Sequence, residues 1–97
     1  MSDSSAELAA LRARIDSVDH ELLELLARRM SVVAEISAWK LSHAEPIRDV
    51  PRERELLDDR RARAAALGLE PEAVEAIFAL VLRAARELQA RLRAERA

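Results

Sequence analysis

Leu8, Leu11, Ile15, Val18, Leu22, Leu25, Val32, Ile36 and Trp39 follow one another at alternating spacings of three and four, and this run leaves the chain little choice of fold. Such spacing is the a/d seam of a helix that lies against other helices. The slot between Leu25 and Val32 is filled by Arg29, and the flanking position that holds Leu26 and Val33 also holds Arg12 and Lys40. Three cations therefore line the face that the helix is expected to bury. A buried cation needs an anionic partner or remains costly.

The seam predicts one uninterrupted helix from near Ser5, whose hydroxyl suits an N-cap, to Lys40, with the segment from Ser42 to Pro46 ending it. About 36 residues at a rise of 1.5 Å give a helix roughly 54 Å long. A compact chain of 97 residues has a diameter of about 32 Å. The helix overshoots its own domain, so its projecting seam requires a second chain, and a two-fold dimer is the commonest way to provide one.

Two shorter helices follow. Asp49 reads as the cap of the second, with Val50 and Pro51 in its first turn and Leu56 and Leu57 facing inward. Gly68, the only glycine, follows Leu67 where a left-handed residue would stop a helix, and Pro71 opens the third. There Val74, Ile77, Phe78, Val81, Leu82, Ala85, Leu88 and Leu92 recur at helical spacing, and Gln89 lies on the same stripe. With one Trp, one Phe and no Tyr, little favours strands. The expectation is an all-α chain of three helices with a long first helix, forming a single domain over residues 1–97, of which 1–5 are a disordered tail.

Sixteen basic against eighteen acidic residues give a net charge of -2, which argues against a nucleic-acid partner. The mixed run Asp58, Asp59, Arg60, Arg61, Arg63 reads as a solvated helix face. The lack of cysteine removes disulfides, thiolate nucleophiles and most zinc sites, and no metal or other cofactor is expected. No apolar stretch approaches the roughly 20 residues a membrane span needs, so a cytoplasmic protein without a membrane partner is expected.

Arg29 and Lys40 are three helical turns apart, a rise of about 16 Å, and their long side chains could converge on one small molecule. Arg12 lies about 25 Å from Arg29 along the axis and cannot join them within one chain. If two first helices pair antiparallel about Glu24, position 12 of one chain comes level with position 36 of the other, between Arg29 and Lys40. Symmetry then creates two equivalent pockets, each with two cations from one chain and a third from its partner. Blander readings remain open. Arg29 could fix register by pairing with an acid such as Asp19, Arg12 and Lys40 could cover apolar surface with their stems, and Gln89 could be a satisfied core amide. His20, on the outer face, and His43, in the turn after the helix, carry no assigned role, and Trp39 reads as packing.

The stretch LRARIDSVDHELLELLARRMSVVAEISAWK, followed by PIRDVPRERELL and a third helix ending in Gln89, resembles the all-helical class of bacterial chorismate mutases from about Leu8 to about Leu92. The combination carries the likeness: an early arginine in the first helix, ARR in its middle, a lysine near its end, then IRD with RE shortly after, and a late glutamine. This resemblance implies an intertwined antiparallel homodimer of three-helix chains with two active sites, and a place in the shikimate pathway of aromatic amino acid biosynthesis. It implies chorismate as substrate, a dicarboxylate enol-pyruvyl ether whose carboxylates meet the residues matching Arg29 and the partner chain's Arg12.

In the same resemblance Lys40 matches a ligand of a carboxylate and of the ether oxygen, and Gln89 matches the second donor to that oxygen. Glu53 matches the acceptor for the ring hydroxyl, Asp49 a residue that contacts it through the backbone, and Arg52 a further cation at the pocket's edge. Two positions depart from the pattern: Ala85 stands where some relatives carry a serine that helps hold a carboxylate, and Trp39 is bulky beside the lysine. The implied reaction is a concerted [3,3] rearrangement of chorismate to prephenate, which needs restraint and charge rather than a nucleophile, a proton transfer or a metal. The rival readings are isochorismate pyruvate lyase on the same scaffold and a helical dimerisation module without chemistry.

Overall fold

The computed structural model describes residues 3–96, and they form three helices: α1 over Asp3–Ser42, α2 over Val50–Ala66 and α3 over Pro71–Glu95. The all-α, three-helix expectation holds. The chain divides into two units, one ending at Val32 and the other beginning at Val33.

The first unit is the α1 segment up to Val32. Helix starts at Asp3, so Ser5 lies within the first turns and is not the cap. Once a helix is nucleated, each further residue adds a hydrogen bond at little cost, which is why the end runs past the residue with the best capping chemistry. Asp3 to Ser5 of the expected tail are therefore helical, and the rest of that tail lies outside the described residues. Along this segment Leu8, Leu11, Ile15, Val18, Leu22, Leu25 and Val32 each keep between 46% and 61% of their surface exposed. The seam exists as a pattern, and its large apolar side chains are about half exposed.

The second unit holds the end of α1, α2 and α3. Its termini follow from local chemistry. The Asp49 carboxylate accepts from the Arg52 backbone N–H at 3.0 Å, and Pro51 occupies the first turn of α2, where a missing donor does no harm. Two Schellman motifs end α1 and α2. At the end of α2, Gly68 adopts φ 74°, its N–H donates to Ala65 and the N–H of Leu69 donates to Ala64. At the end of α1 the same pattern is built on an alanine: Ala44 adopts φ 55°, with Ala44 N–H donating to Leu41 and Glu45 N–H to Lys40.

Helices α2 and α3 pack on each other. Leu56 and Ala64 of α2 and Ala85 of α3 are buried, with Val33 from the end of α1. Val74, Phe78, Val81, Leu82, Leu88 and Leu92 of the α3 stripe are half-buried, whereas Ile77 is exposed. The charged run of α2 is only partly a solvated face. The Arg60 guanidinium lies 5.6 Å from the centroid of the Phe78 ring, and Arg61 forms an ion pair with Glu75 of α3. Long cationic stems here seal the edge of the α2–α3 contact, which charge alone does not announce. No helix among the described residues is long and apolar enough to cross a membrane, and no cluster of three His, Cys, Asp or Glu side chains there could hold a metal ion.

Candidate active site

The expected site residues fall in both units. Arg12, exposed, and Arg29, half-buried, belong to the first. Lys40, Asp49, Arg52, Glu53, Ala85 and Gln89 belong to the second.

Lys40 is half-buried, and its Nζ donates to the Ile47 carbonyl oxygen at 2.6 Å. Arg93 of α3 donates from Nη2 to the Glu45 carbonyl oxygen at 3.0 Å. Two cations thus grip successive parts of the loop between α1 and α2, and that loop ends at Asp49, the cap of the helix that carries Glu53. Beside Lys40, the Trp39 ring stacks on His43 with centroids 4.0 Å apart. The Trp39 carbonyl oxygen accepts from the Ser42 hydroxyl at 2.9 Å and lies 2.8 Å from His43 Nδ1. Trp39 therefore takes part in the end of α1 and remains half exposed.

Glu53 lies in the first turn of α2, where the helix dipole favours a carboxylate. Its side chain is only 15% exposed and is held by two arginines: Arg48 Nε donates to Oε1 at 3.3 Å and Arg86 Nη1 to Oε2 at 2.8 Å. Arg52, one residue before it, points outward and pairs with Glu55 at 3.6 Å. A depression of about 260 Å³ lined by Arg48, Glu53, Arg54, Leu57 and Glu75 reaches Glu53 but neither Lys40 nor Gln89, so it is not the candidate site.

Ala85 and Gln89 sit one turn apart on α3 and are buried at 5% and 6% exposure. The Oε1 atom of Gln89 is buried without a hydrogen-bond partner among the described residues, as is Nε of Arg93. An unmade bond at a buried amide costs of the order of 1–3 kcal/mol, and folded proteins in general pair most of their buried polar groups.

Sequence reasoning missed the arginines that engage the carboxylate and the loop: Arg48, Arg86 and Arg93. Arg48 stands in the quoted IRD motif. Arg86 and Arg93 stand three residues before and four after Gln89, the spacing that puts them on its side of α3, and that was the signal available.

Residues 11–90 match the chorismate mutase type II family. The chain belongs to that family. Among its relatives, the T-protein of Enterobacter agglomerans is 46% identical over 80% of this chain and 21% of its own length. The bifunctional chorismate mutase/prephenate dehydratase of Escherichia coli (strain K12) is 35% identical over 81% of this chain and 20% of its own length. A monofunctional chorismate mutase of Enterobacter agglomerans is 36% identical over 76% of this chain and 41% of its own length. The chain thus spans about a fifth of the first two relatives and two fifths of the third. The matched segment contains every residue that the resemblance assigns to the site, from Arg12 to Gln89.

Proposed function

We propose that this chain is a chorismate mutase, converting chorismate to prephenate by an intramolecular [3,3] rearrangement. The observation that carries the reading is the family match over residues 11–90, which spans all the assigned side chains. In the reaction the ether C–O bond breaks as a new C–C bond forms within one molecule, so no group or proton passes to the protein. Arg29 and the partner subunit's Arg12 bind the carboxylates and hold the flexible ether in a chair, which removes rotational freedom before the chemistry begins. Lys40 and Gln89 donate to the ether oxygen, where negative charge develops as the bond lengthens. Donors already in place at that atom stabilise the transition state more than the substrate. Glu53 accepts from the ring hydroxyl, Asp49 contacts it through the backbone, Arg52 adds positive charge at the rim, and Ala85 leaves the turn beside Gln89 without a hydroxyl.

The proposal includes a single domain completed by a second copy of the chain in an intertwined antiparallel homodimer. Its support is the seam of α1, whose large apolar side chains are about half exposed in one chain, a surface that isolated soluble chains seldom leave open. A cytoplasmic location without a nucleic-acid partner completes the reading, in keeping with the lack of cysteine and the net charge of -2.

Loss of the ultraviolet absorbance of chorismate in the presence of the purified protein tests this function, with acid conversion of prephenate to phenylpyruvate as confirmation. Rapid loss, abolished in Arg29→Ala, is expected, together with a sedimentation mass of two chains. A folded dimer that leaves chorismate intact and releases pyruvate from isochorismate would be the lyase instead.

A further inference from the structure

The ion pair between α2 and α3 at Glu53 sits where the proposed reaction needs an ordered acceptor. Glu53 and Arg86 are 33 residues apart in sequence, and their bond of 2.8 Å joins side chains that are 15% and 29% exposed. That length is normal for a charge-assisted bond, and partial burial protects it from solvent screening. The second partner, Arg48, is 59% exposed and bonds at 3.3 Å, so it holds the carboxylate less firmly. Arg86 follows the buried Ala85 and precedes the buried Gln89 by three residues, so one turn of α3 carries both the amide assigned to the ether oxygen and the cation that fixes Glu53. A carboxylate offers about four lone-pair directions; two arginines take two of them and leave others for a substrate hydroxyl.

We propose that Arg86 is a positioning residue for the mutase reaction: it locks the Glu53 carboxylate against α3 so that a free lone pair faces the ring hydroxyl of the substrate. The inference rests on the assignment of Glu53 made above. Held in this way, Glu53 meets the hydroxyl without first being ordered, and because the hydroxyl is remote from the breaking bond, the benefit falls on substrate and transition state alike.

Steady-state kinetics and thermal melts of Arg86→Met, Arg86→Lys, Glu53→Ala and the Arg86→Met/Glu53→Ala pair test it. Methionine keeps an apolar stem and lysine keeps the charge. Arg86→Met is expected to raise KM about tenfold with kcat nearly unchanged, the signature of lost uniform binding. Arg86→Lys should recover most of that affinity, and Arg86→Met should add nothing once Glu53 is already alanine. If Arg86→Met does not fold, Arg86→Gln takes its place in the same cycle. A wild-type KM in the Arg86 variant, or a full additional loss in the double variant, would overturn the inference while leaving Glu53 in its role. A wild-type KM in Glu53→Ala would remove the role of Glu53, and that of Arg86 with it.

Discussion

Lys40 donates from Nζ to the carbonyl oxygen of Ile47 at 2.6 Å, tying the last turns of α1 to the loop that leads into α2. An ammonium has three donors, so one bond to the loop orients the group and leaves two for a ligand. Lys40→Ala is expected to lower kcat/KM by about 10²–10³-fold, the usual loss on removing a donor to a developing charge. Chorismate consumption measured against the wild type checks it. Full activity in the variant would remove Lys40 from the mechanism.

Gln89 gives a prediction of different form. A neutral amide donates its N–H at any pH, whereas a glutamate in its place donates only when protonated. Gln89→Glu should therefore fall by about 10²-fold at neutral pH and recover toward acid pH. A pH–rate profile of the variant as flat as that of the wild type would contradict the role assigned to Gln89.

The two Schellman motifs should respond to substitution with opposite signs. Ala44 holds a left-handed conformation that disfavours a Cβ, while Gly68 holds a similar one at no such cost. Ala44→Gly is expected to stabilise the chain by about 0.5–1 kcal/mol after allowance for the freer unfolded state, and Gly68→Ala to destabilise it by about 1–2 kcal/mol. A Cβ added at Gly68 meets no atom within 4 Å, so the cost there comes from the backbone angle alone. Urea melts of both variants test the pair, and a matching sign would show that the backbone angle is not the cause.

Asp59 links stability to pH. The hydrogen bond from Arg60, and then those from Arg63, hold its carboxyl below the ordinary aspartate range. A carboxyl depressed in the folded state adds stability above its unfolded value of about 3.9, and the contribution is lost as pH falls through the lower folded value. Asp59→Asn should lower the melting temperature slightly near neutral pH, with the gap closing as pH falls through the lowered folded value. Added salt should narrow the gap near neutral pH, because these pairs face solvent. A gap that persisted unchanged into strong acid would refute this origin.

Much of the fold was legible because its signals are local. The three–four spacing of α1, the Asp49 cap, Pro51 and Pro71 in first turns and the left-handed Gly68 all act within about four residues of themselves, so sequence alone determined three helices, both ends of α2 and the start of α3, while α3 runs on to Glu95, past the Gln89 where the sequence reading ended it. The start of α1 escaped it by two residues, since the strongest capping side chain does not prevent a helix from growing past it. Ala44 escaped it too, because alanine has no preference for the conformation that the Schellman hydrogen bonds impose there.

Candidate chemistry was legible as residue types: cations on an apolar seam and a glutamine on a core stripe interrupt the pattern around them. Which groups they meet was not. The grip of Arg86 on Glu53, the hold of Arg93 on the Glu45 carbonyl and the unpartnered Oε1 of Gln89 depend on how α3 lies against α2 and the loop. Partners separated by 33 or 48 residues are set by packing and register rather than by spacing along one helix, so only the tertiary structure decided them.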